Sequence, residues 1–165
     1  MSVLDDIANA MNSYPQDETT IEVVNVDRVG NSTDTSVNAG EIWEFHVKLT
    51  NNGHVDMTAV SLHVLGLNGT LVREKPTDTF VNSMVVGNLN PAGGGGSVTT
   101  KAFQFQAPPG TEPAGTELFH VHIQEWDAGS GFDHYFTAHT KSDTDAANLG
   151  IVYPRAFFTS QVFPA

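Results

Sequence analysis

Alternation of apolar and polar residues runs through much of the chain and predicts β-strands. The clearest strand is Glu41–Asn51, where a period of two places one set of residues on a single face: Trp43, Phe45, Val47 and Leu49. Such a period is typical of a strand with one buried face. The stretch Met57–Leu67 repeats the pattern, with Val60, Leu62 and Val64 inward and with Ser61 and His63 outward.

Further strands are predicted wherever short alternating runs are bounded by Gly, Asn or Pro. These runs are Thr20–Val29, Thr79–Val86, Val98–Ala107, Glu117–Trp126 and Phe132–Thr140. Seven short strands separated by turn residues are typical of a sandwich of two sheets. We therefore predict an all-β fold, an immunoglobulin-like antiparallel β-sandwich of about seven strands over residues 20–142.

The period changes near the N-terminus, where residues 1–19 are predicted to form a short helix and an arm. Ser2 and Asp5 form a capping pattern for a helix over residues 2–12. Leu4, Ile7 and Met11 then share one apolar stripe. Three helical turns are marginal alone in water, so the stripe is expected to dock onto a partner surface.

The last stretch, residues 143–165, is predicted to be an apolar extension outside the sandwich. Its aromatic residues include Tyr153, Phe157, Phe158 and Phe163. An exposed apolar tail favours aggregation unless it is covered. We expect these side chains, together with the N-terminal stripe, to dock onto other subunits.

Charge and cysteine content narrow the function classes. Asp and Glu number 19 against 7 Lys and Arg, which gives a formal net charge of −12, and there is no cysteine. A strongly acidic surface disfavours nucleic acid as a partner. Because the chain has no cysteine, disulfides are excluded. No apolar run is long enough to insert into a membrane, and the first residues do not resemble a signal peptide. We expect synthesis in the cytoplasm.

Two segments carry a resemblance to a known family. They read VNAGEIWEFHVKLTNNGHVDMTAVSLHVLG and VGNLNPAGGGGSVTTKAFQFQAP. Over residues 20–140 the chain resembles the bacterial and archaeal immunoglobulin-like domains called CARDB. That resemblance implies adhesion, spacing or display on a surface and supplies no catalytic residues to transfer. The predicted helix and C-terminal extension depart from the family pattern.

Histidines on the predicted hairpin of Glu117–Trp126 and Phe132–Thr140 are candidate ligands for Cu or Zn. His120 and His122 share a face, and pairing Trp126 with Phe132 would place His134 on that face too. A slip of one residue would bring His139 there instead. Either register groups three imidazoles, a ligand set that suits Zn²⁺ or Cu²⁺. The alternative is that these are polar positions on a solvent-facing strand.

The segment LFHVHIQEWDAGSGFDHYF is also similar to the copper-ligand strand of copper/zinc superoxide dismutase. That resemblance implies His120 and His122 as a copper pair and His134 as a bridging ligand. The disulfide cysteines and the downstream metal ligands of the dismutase are absent from this chain, so a dismutase is not the favoured interpretation, and no cofactor is expected.

Aromatic residues on the same hairpin suggest another function class. Trp126, Phe132 and Phe136 would stack on sugar rings if they formed an exposed face. We therefore weigh three functions: a non-catalytic structural subunit, an adhesion or carbohydrate-binding module, and a Cu/Zn-binding protein. The favoured function is a structural subunit, expected either in a virion, as a phage head, tail or decoration component, or in a cell-surface layer. Its expected partners are itself or other structural proteins, and no enzyme activity is expected.

Overall fold

A computed structural model describes residues 19–53, 56–128, 140–142 and 155–165 of the chain. All regular structure in these residues is β-strand, which confirms the predicted fold class. The strands, in chain order, are β1 (Thr19–Arg28), β2 (Val37–Asn38), β3 (Ile42–Asn51), β4 (Met57–Gly66), β5 (Leu71–Glu74), β6 (Ser83–Leu89), β7 (Gly96–Thr99), β8 (Phe103–Gln106), β9 (Glu117–Ala128), β10 (Thr140–Ser142), β11 (Arg155–Thr159) and β12 (Val162–Phe163). None of the described residues forms a helix long and apolar enough to cross a bilayer.

Two antiparallel sheets form the sandwich. The first sheet has the order β1–β3–β8–β5, and β7 pairs with the far half of β3. The second sheet has the order β10–β9–β4–β6, and β11 pairs with β9 beside β10. A short parallel pair, β12 with β2, joins the C-terminal end of the described chain to the segment between β1 and β3.

The core lies between the sheets and follows the alternation in the sequence. Burial alternates along the whole of β3, with Trp43, Phe45, Val47 and Leu49 on the buried face. In β4 the buried residues include Val60, Leu62 and Val64. Both predicted inward faces are confirmed, because each strand hides alternate side chains against the opposite sheet.

Aromatic rings fill the centre of this core. The ring of Phe45 stacks on that of Phe119 from the second sheet, with centroids 4.4 Å apart. Phe105 packs against Phe119 at 5.2 Å, and Phe119 stacks on Phe158 at 5.2 Å. Aromatic pairs at such distances stabilise a core beyond the area that they bury. This cluster ties β3, β8, β9 and β11 together.

The strand predicted at Val98–Ala107 is two strands, β7 and β8, that pair with different halves of β3. Thr100 lies between them. Its hydroxyl accepts a hydrogen bond from the Val47 backbone N–H at 2.9 Å, and its own N–H donates to the Val47 carbonyl at 2.9 Å. Between β7 and β8 the Thr100 hydroxyl thus accepts the hydrogen bond that a backbone carbonyl would otherwise accept, so Val47 of β3 keeps its hydrogen bonds there.

The C-terminal segment differs most from the expectation. Residues 155–163 were predicted to lie outside the sandwich, but β11 pairs with β9 and Val162 is buried in the core. Alternation explains the difference: Ala156 and Phe158 pack inward, while Phe157 points outward. The predicted helix over residues 2–12, with Leu4, Ile7 and Met11, lies outside the described residues, as does Tyr153.

Two β-bulges interrupt the pairing of β4 with β9. At the first, residues 58–61 of β4 oppose residues 125–127 of β9, so β4 holds one extra residue. Ala59 lies there with a positive φ of 51°. At the second bulge, adjacent residues of β4 pair with Ile123 and Glu125, so Gln124 is the extra residue of β9. An extra residue reverses which side chains face inward beyond it.

Candidate interaction surface

The outer face of the second sheet gathers histidine, arginine and exposed apolar side chains. Neighbouring strands place these residues in adjacent cross-strand positions, because β9 lies between β11 and β4, and β4 pairs with β6. We call this surface the histidine face and define it by His63, His120, His122, Arg155, Phe157 and Val85.

Three imidazole rings form the middle of the histidine face. His63 and His122 are directly opposite each other in the pairing of β4 with β9. Their ring centroids are 5.0 Å apart, and the planes meet at 74°. His120 and His122, two positions apart on β9, are 5.3 Å apart at 81°. These edge-to-face contacts leave His122 only 6% exposed, at the centre of the row.

Apolar side chains border the histidines on both sides. Phe157 pairs with His120 across β11 and β9, and the two rings are 5.3 Å apart. On the other side, Val85 of β6 lies opposite His63. Phe157 is 47% exposed and Val85 is 54% exposed. A strand-borne surface of this composition offers apolar contact area beside imidazole and guanidinium groups, the mixture found in protein–protein interfaces.

Three cations elsewhere in the described residues make ion pairs with carboxylates. Arg28 contacts Asp34 at 3.0 Å and Glu41 at 2.8 Å. The pKa of Asp34 is lowered, first because its carboxylate accepts a hydrogen bond from the Ser36 backbone N–H and also because of Arg28. Lys75 and Lys101 make similar pairs with Glu44 and Glu74. Arg155 lies on the histidine face, opposite His122, in a protein that is acidic overall.

Comparisons with known proteins give similarity to solved structures only. The chain is similar to the sporulation control protein Spo0M of Bacillus subtilis, at 13% identity and a TM-score of 0.41, over 90% of this chain and 50% of that one. It is similar to the C-terminal domain of wzt, at 11% identity and a TM-score of 0.42, over 92% of this chain and 76% of that one. It is also similar to an ASH/PapD-like domain of human CEP192, at 13% identity and a TM-score of 0.31, over 90% of this chain and 87% of that one.

These comparisons add nothing on function. The chain spans half the length of the Spo0M chain, and identities this low leave the function open. No family model matches the chain, and no curated protein matches it. The two-sheet antiparallel architecture supports an immunoglobulin-like fold, whereas the resemblance to CARDB domains stays a prediction.

The metal-site prediction is changed by the observed register of β9. The residue opposite Trp126 is Lys141 rather than Phe132, and the residue opposite His120 is Phe157. The predicted pairing of Trp126 with Phe132 is therefore wrong, because β10 and β11 together occupy that edge of β9, while the metal site itself stays a prediction. His134 itself lies outside the described residues, and within them no three His, Asp or Glu side chains are placed so that they could hold one metal ion.

The proposed sugar-stacking surface is not formed by Trp126. Its side chain is only 1% exposed and belongs to the core. Strict alternation from His120 and His122 would place Trp126 on the outer face, but the bulge at Gln124 turns it inward. Phe132 and Phe136, the other two candidates, lie outside the described residues.

The C-terminal docking candidates separate into two groups. Phe157 and Phe163 are exposed large apolar residues, whereas Phe158 is partly buried against the core. Sequence reasoning missed His63 and Val85 as members of the same surface. The outward position of His63 in its predicted strand was a usable signal, but the order of strands in the sheet was needed to place it beside His122.

A shallow depression on the first sheet carries little chemistry. It is lined by Gly40, Gly69, Leu71, Gln106, Ala107 and Pro109. This lining contains no titratable side chain, so the depression itself offers neither an acid nor a base. The histidine face is therefore the stronger candidate for function.

Proposed function

We propose that this protein is a non-catalytic structural or interaction protein that works as a subunit of a larger assembly of itself or of other structural proteins. The observation that carries the proposal is the pair of exposed apolar side chains, Phe157 and Val85, on the outer face of the second sheet. They border a continuous row of imidazole rings.

Such a surface is more favourable when it is covered. Burial of apolar area contributes about 25 cal/mol for each Å² removed from water. Because Phe157 and Val85 stand on paired strands, their backbones are already fixed, and little ordering opposes association. Interfaces are enriched in aromatic and arginine side chains, and this face offers both in Phe157 and Arg155.

The setting that we propose is a virion, as a phage head, tail or decoration component, or another surface layer. Support for this setting comes from the sequence: the resemblance to surface-display domains and the acidic, cysteine-free composition. An antibody against the chain tests the setting, because a structural component sediments with intact particles. Antigen found only in the supernatant of purified particles would contradict it.

Self-association is tested by sedimentation velocity over a wide range of protein concentrations. A subunit of a homomeric assembly gives species heavier than the 17.7 kDa chain, with a weight that rises with concentration. Phe157→Ser should weaken self-association, and Val29→Ser is its control, because Val29 is exposed to the same degree, 48% against 47%, but lies just after β1, away from the histidine face. A single species of 17.7 kDa at every concentration would reject self-assembly.

A further inference from the structure

We infer that β6 is an open edge strand that pairs, antiparallel, with β6 of a second copy of this chain, so that the second sheets of two copies join into one. This inference rests on the proposed function, because it names the partner and the contact by which copies would associate. The observation that carries it is the row of backbone groups on the side of β6 that faces away from β4.

The register of β6 shows which of its backbone groups face outward. Gly66 donates its N–H to the Asn82 carbonyl at 2.7 Å, so these two residues form a hydrogen-bonded pair at the start of the ladder. Bonded and non-bonded pairs alternate along an antiparallel ladder. Met84 and Val86 therefore bond to β4, whereas Ser83 and Val85 direct their N–H and C=O groups away from it.

Within the part of the chain that the structure describes, no hydrogen bond occupies the outward groups of Ser83 and Val85. The backbone of Val81 does bond to Val72 of β5, at 2.8 and 2.9 Å, and this bridge covers the edge at residue 81. Beyond it, β6 ends the sheet order β10–β9–β4–β6, and Val85 is 54% exposed. An exposed row of unpaired backbone groups is a template for pairing with another strand.

The sequence of β6 lacks the residues that usually prevent such pairing. Proteins protect an open edge with charged side chains or proline. Residues 79–90 contain neither, although the formal net charge of the chain is −12. The register shift that follows Val86 shortens the regular edge but leaves Ser83 and Val85 open. Two copies of this acidic protein therefore meet at β6 without placing like charges opposite each other.

A second copy of β6 is the partner that we assign, because the strand is complementary to itself. A two-fold axis at Val85 places this residue opposite its own copy, where each backbone N–H donates to the other carbonyl, and it places Ser83 opposite Gly87. On the inner side, the half-buried Met84 lies opposite Val86 of the other copy, which extends the core across the contact. Such a symmetric contact uses both edges, so pairing stops at a dimer.

Edge pairing also joins the histidine faces of the two copies. Val85 lies opposite His63 on the outer face of each sheet, so the axis brings both faces side by side. Phe157, on β11, is separated from β6 by β9 and β4. A larger assembly would thus use the edge for one contact and the surface around Phe157 for another.

Opposite charges at residue 85 provide a direct test, because the two-fold axis pairs this position with itself. Val85→Lys and Val85→Glu are prepared as full-length proteins and studied by sedimentation velocity. Each variant alone should raise the dissociation constant of the dimer by about tenfold, since like charges then lie opposite each other. An equal mixture of the two should restore association through a heterodimer with opposite charges.

Val29→Lys and Val29→Glu are the matched controls, because Val29 is 48% exposed and lies outside β6. Alone or mixed, they should leave the dissociation constant within about twofold of the wild-type value. Circular dichroism of each variant confirms that the fold is retained. An edge contact is small, so the concentrations should extend to about 1 mM.

Amide hydrogen exchange measures the backbone pairing itself. The Val85 N–H of the wild-type chain should exchange more slowly as the protein concentration rises, because pairing removes it from water. The same concentrations of Val85→Lys should leave exchange at residue 85 unchanged. Exchange in the associated wild-type chain that is independent of concentration would overturn the inference, because the copies would then meet through side chains alone.

The outcomes separate this contact from the proposed function. A wild-type chain that assembles, but whose Lys and Glu variants do not restore each other, overturns only the edge contact. Restored association in the mixture, with no effect of Phe157→Ser, supports the edge and removes the support that the proposed function draws from Phe157. A single species of 17.7 kDa at every concentration rejects both.

Discussion

Replacing Trp126 with alanine tests the bulge that turns this residue into the core. The side chain is 1% exposed, so the substitution removes a large buried indole and leaves a cavity. Truncations of this kind cost about 3–5 kcal/mol of unfolding free energy. Domains of ordinary stability have about 5–15 kcal/mol in total, so the variant should remain folded but with a much smaller margin.

Urea unfolding followed by fluorescence is the suitable assay. The chain contains two tryptophans, and Trp43 is buried in the core, so it still reports unfolding when Trp126 is absent. With a urea dependence of about 2 kcal/mol per molar, the midpoint should fall by about 1.5–2.5 M. Phe157→Ala is the matched control, measured at low protein concentration, and should lose about 1 kcal/mol because half of its ring is already in water.

Equal midpoint shifts for the two variants would refute this reasoning. Strict alternation along β9 would then hold in solution, and Trp126 would lie on the outer face beside the histidines. In that case the sugar-stacking interpretation would regain its central residue, and glycan binding by the wild-type protein would become the next measurement.

Two further predictions concern smaller interactions. Thr100→Val keeps the shape of the side chain but leaves the buried N–H of Val47 without its hydroxyl partner, so the free energy of unfolding in urea should fall by about 1–3 kcal/mol. Thr99→Val, at an exposed position, is the control and should change that free energy little. Equal effects of the two substitutions would contradict the role of the hydroxyl. The folded-state pKa of Asp34 should lie below its ordinary value, first because its carboxylate accepts a hydrogen bond from the Ser36 N–H. The carboxylate therefore stabilises the fold above the unfolded-state pKa, and this stabilisation disappears as the pH falls through the folded-state pKa. An NMR titration of the carboxyl checks this, and an unshifted midpoint would contradict it.

Alternation was a reliable guide where strands are long and regular. The inward faces of β3 and β4 were predicted residue by residue, because each strand buries one face against the other sheet. Short strands were harder to detect. Four residues, Leu71–Glu74, form β5, and so brief a run carries no detectable period. The pairing of β5 with β8 defines that strand, and the local sequence does not.

The candidate site depended on features that a single strand does not reveal. The bulge of β4 contains Ala59 at positive φ, although alanine is not a residue that signals such a conformation. The strand order placed His63 beside His122, and β11 took the position on β9 that the predicted hairpin partner was expected to fill. The error at Trp126 came from assuming unbroken alternation along β9, and the predicted pairing of Trp126 with Phe132 failed because β10 pairs with Trp126 instead.

The parallel pair of β12 with β2 has a consequence for biosynthesis. Val162 pairs with Val37, and the Ala39 N–H donates to the Phe163 carbonyl at 2.8 Å. The hydrophobic environment of Val37 is therefore incomplete while the ribosome is still translating the intervening residues. Native closure at this end of the molecule must therefore wait until residue 162 has emerged from the exit tunnel.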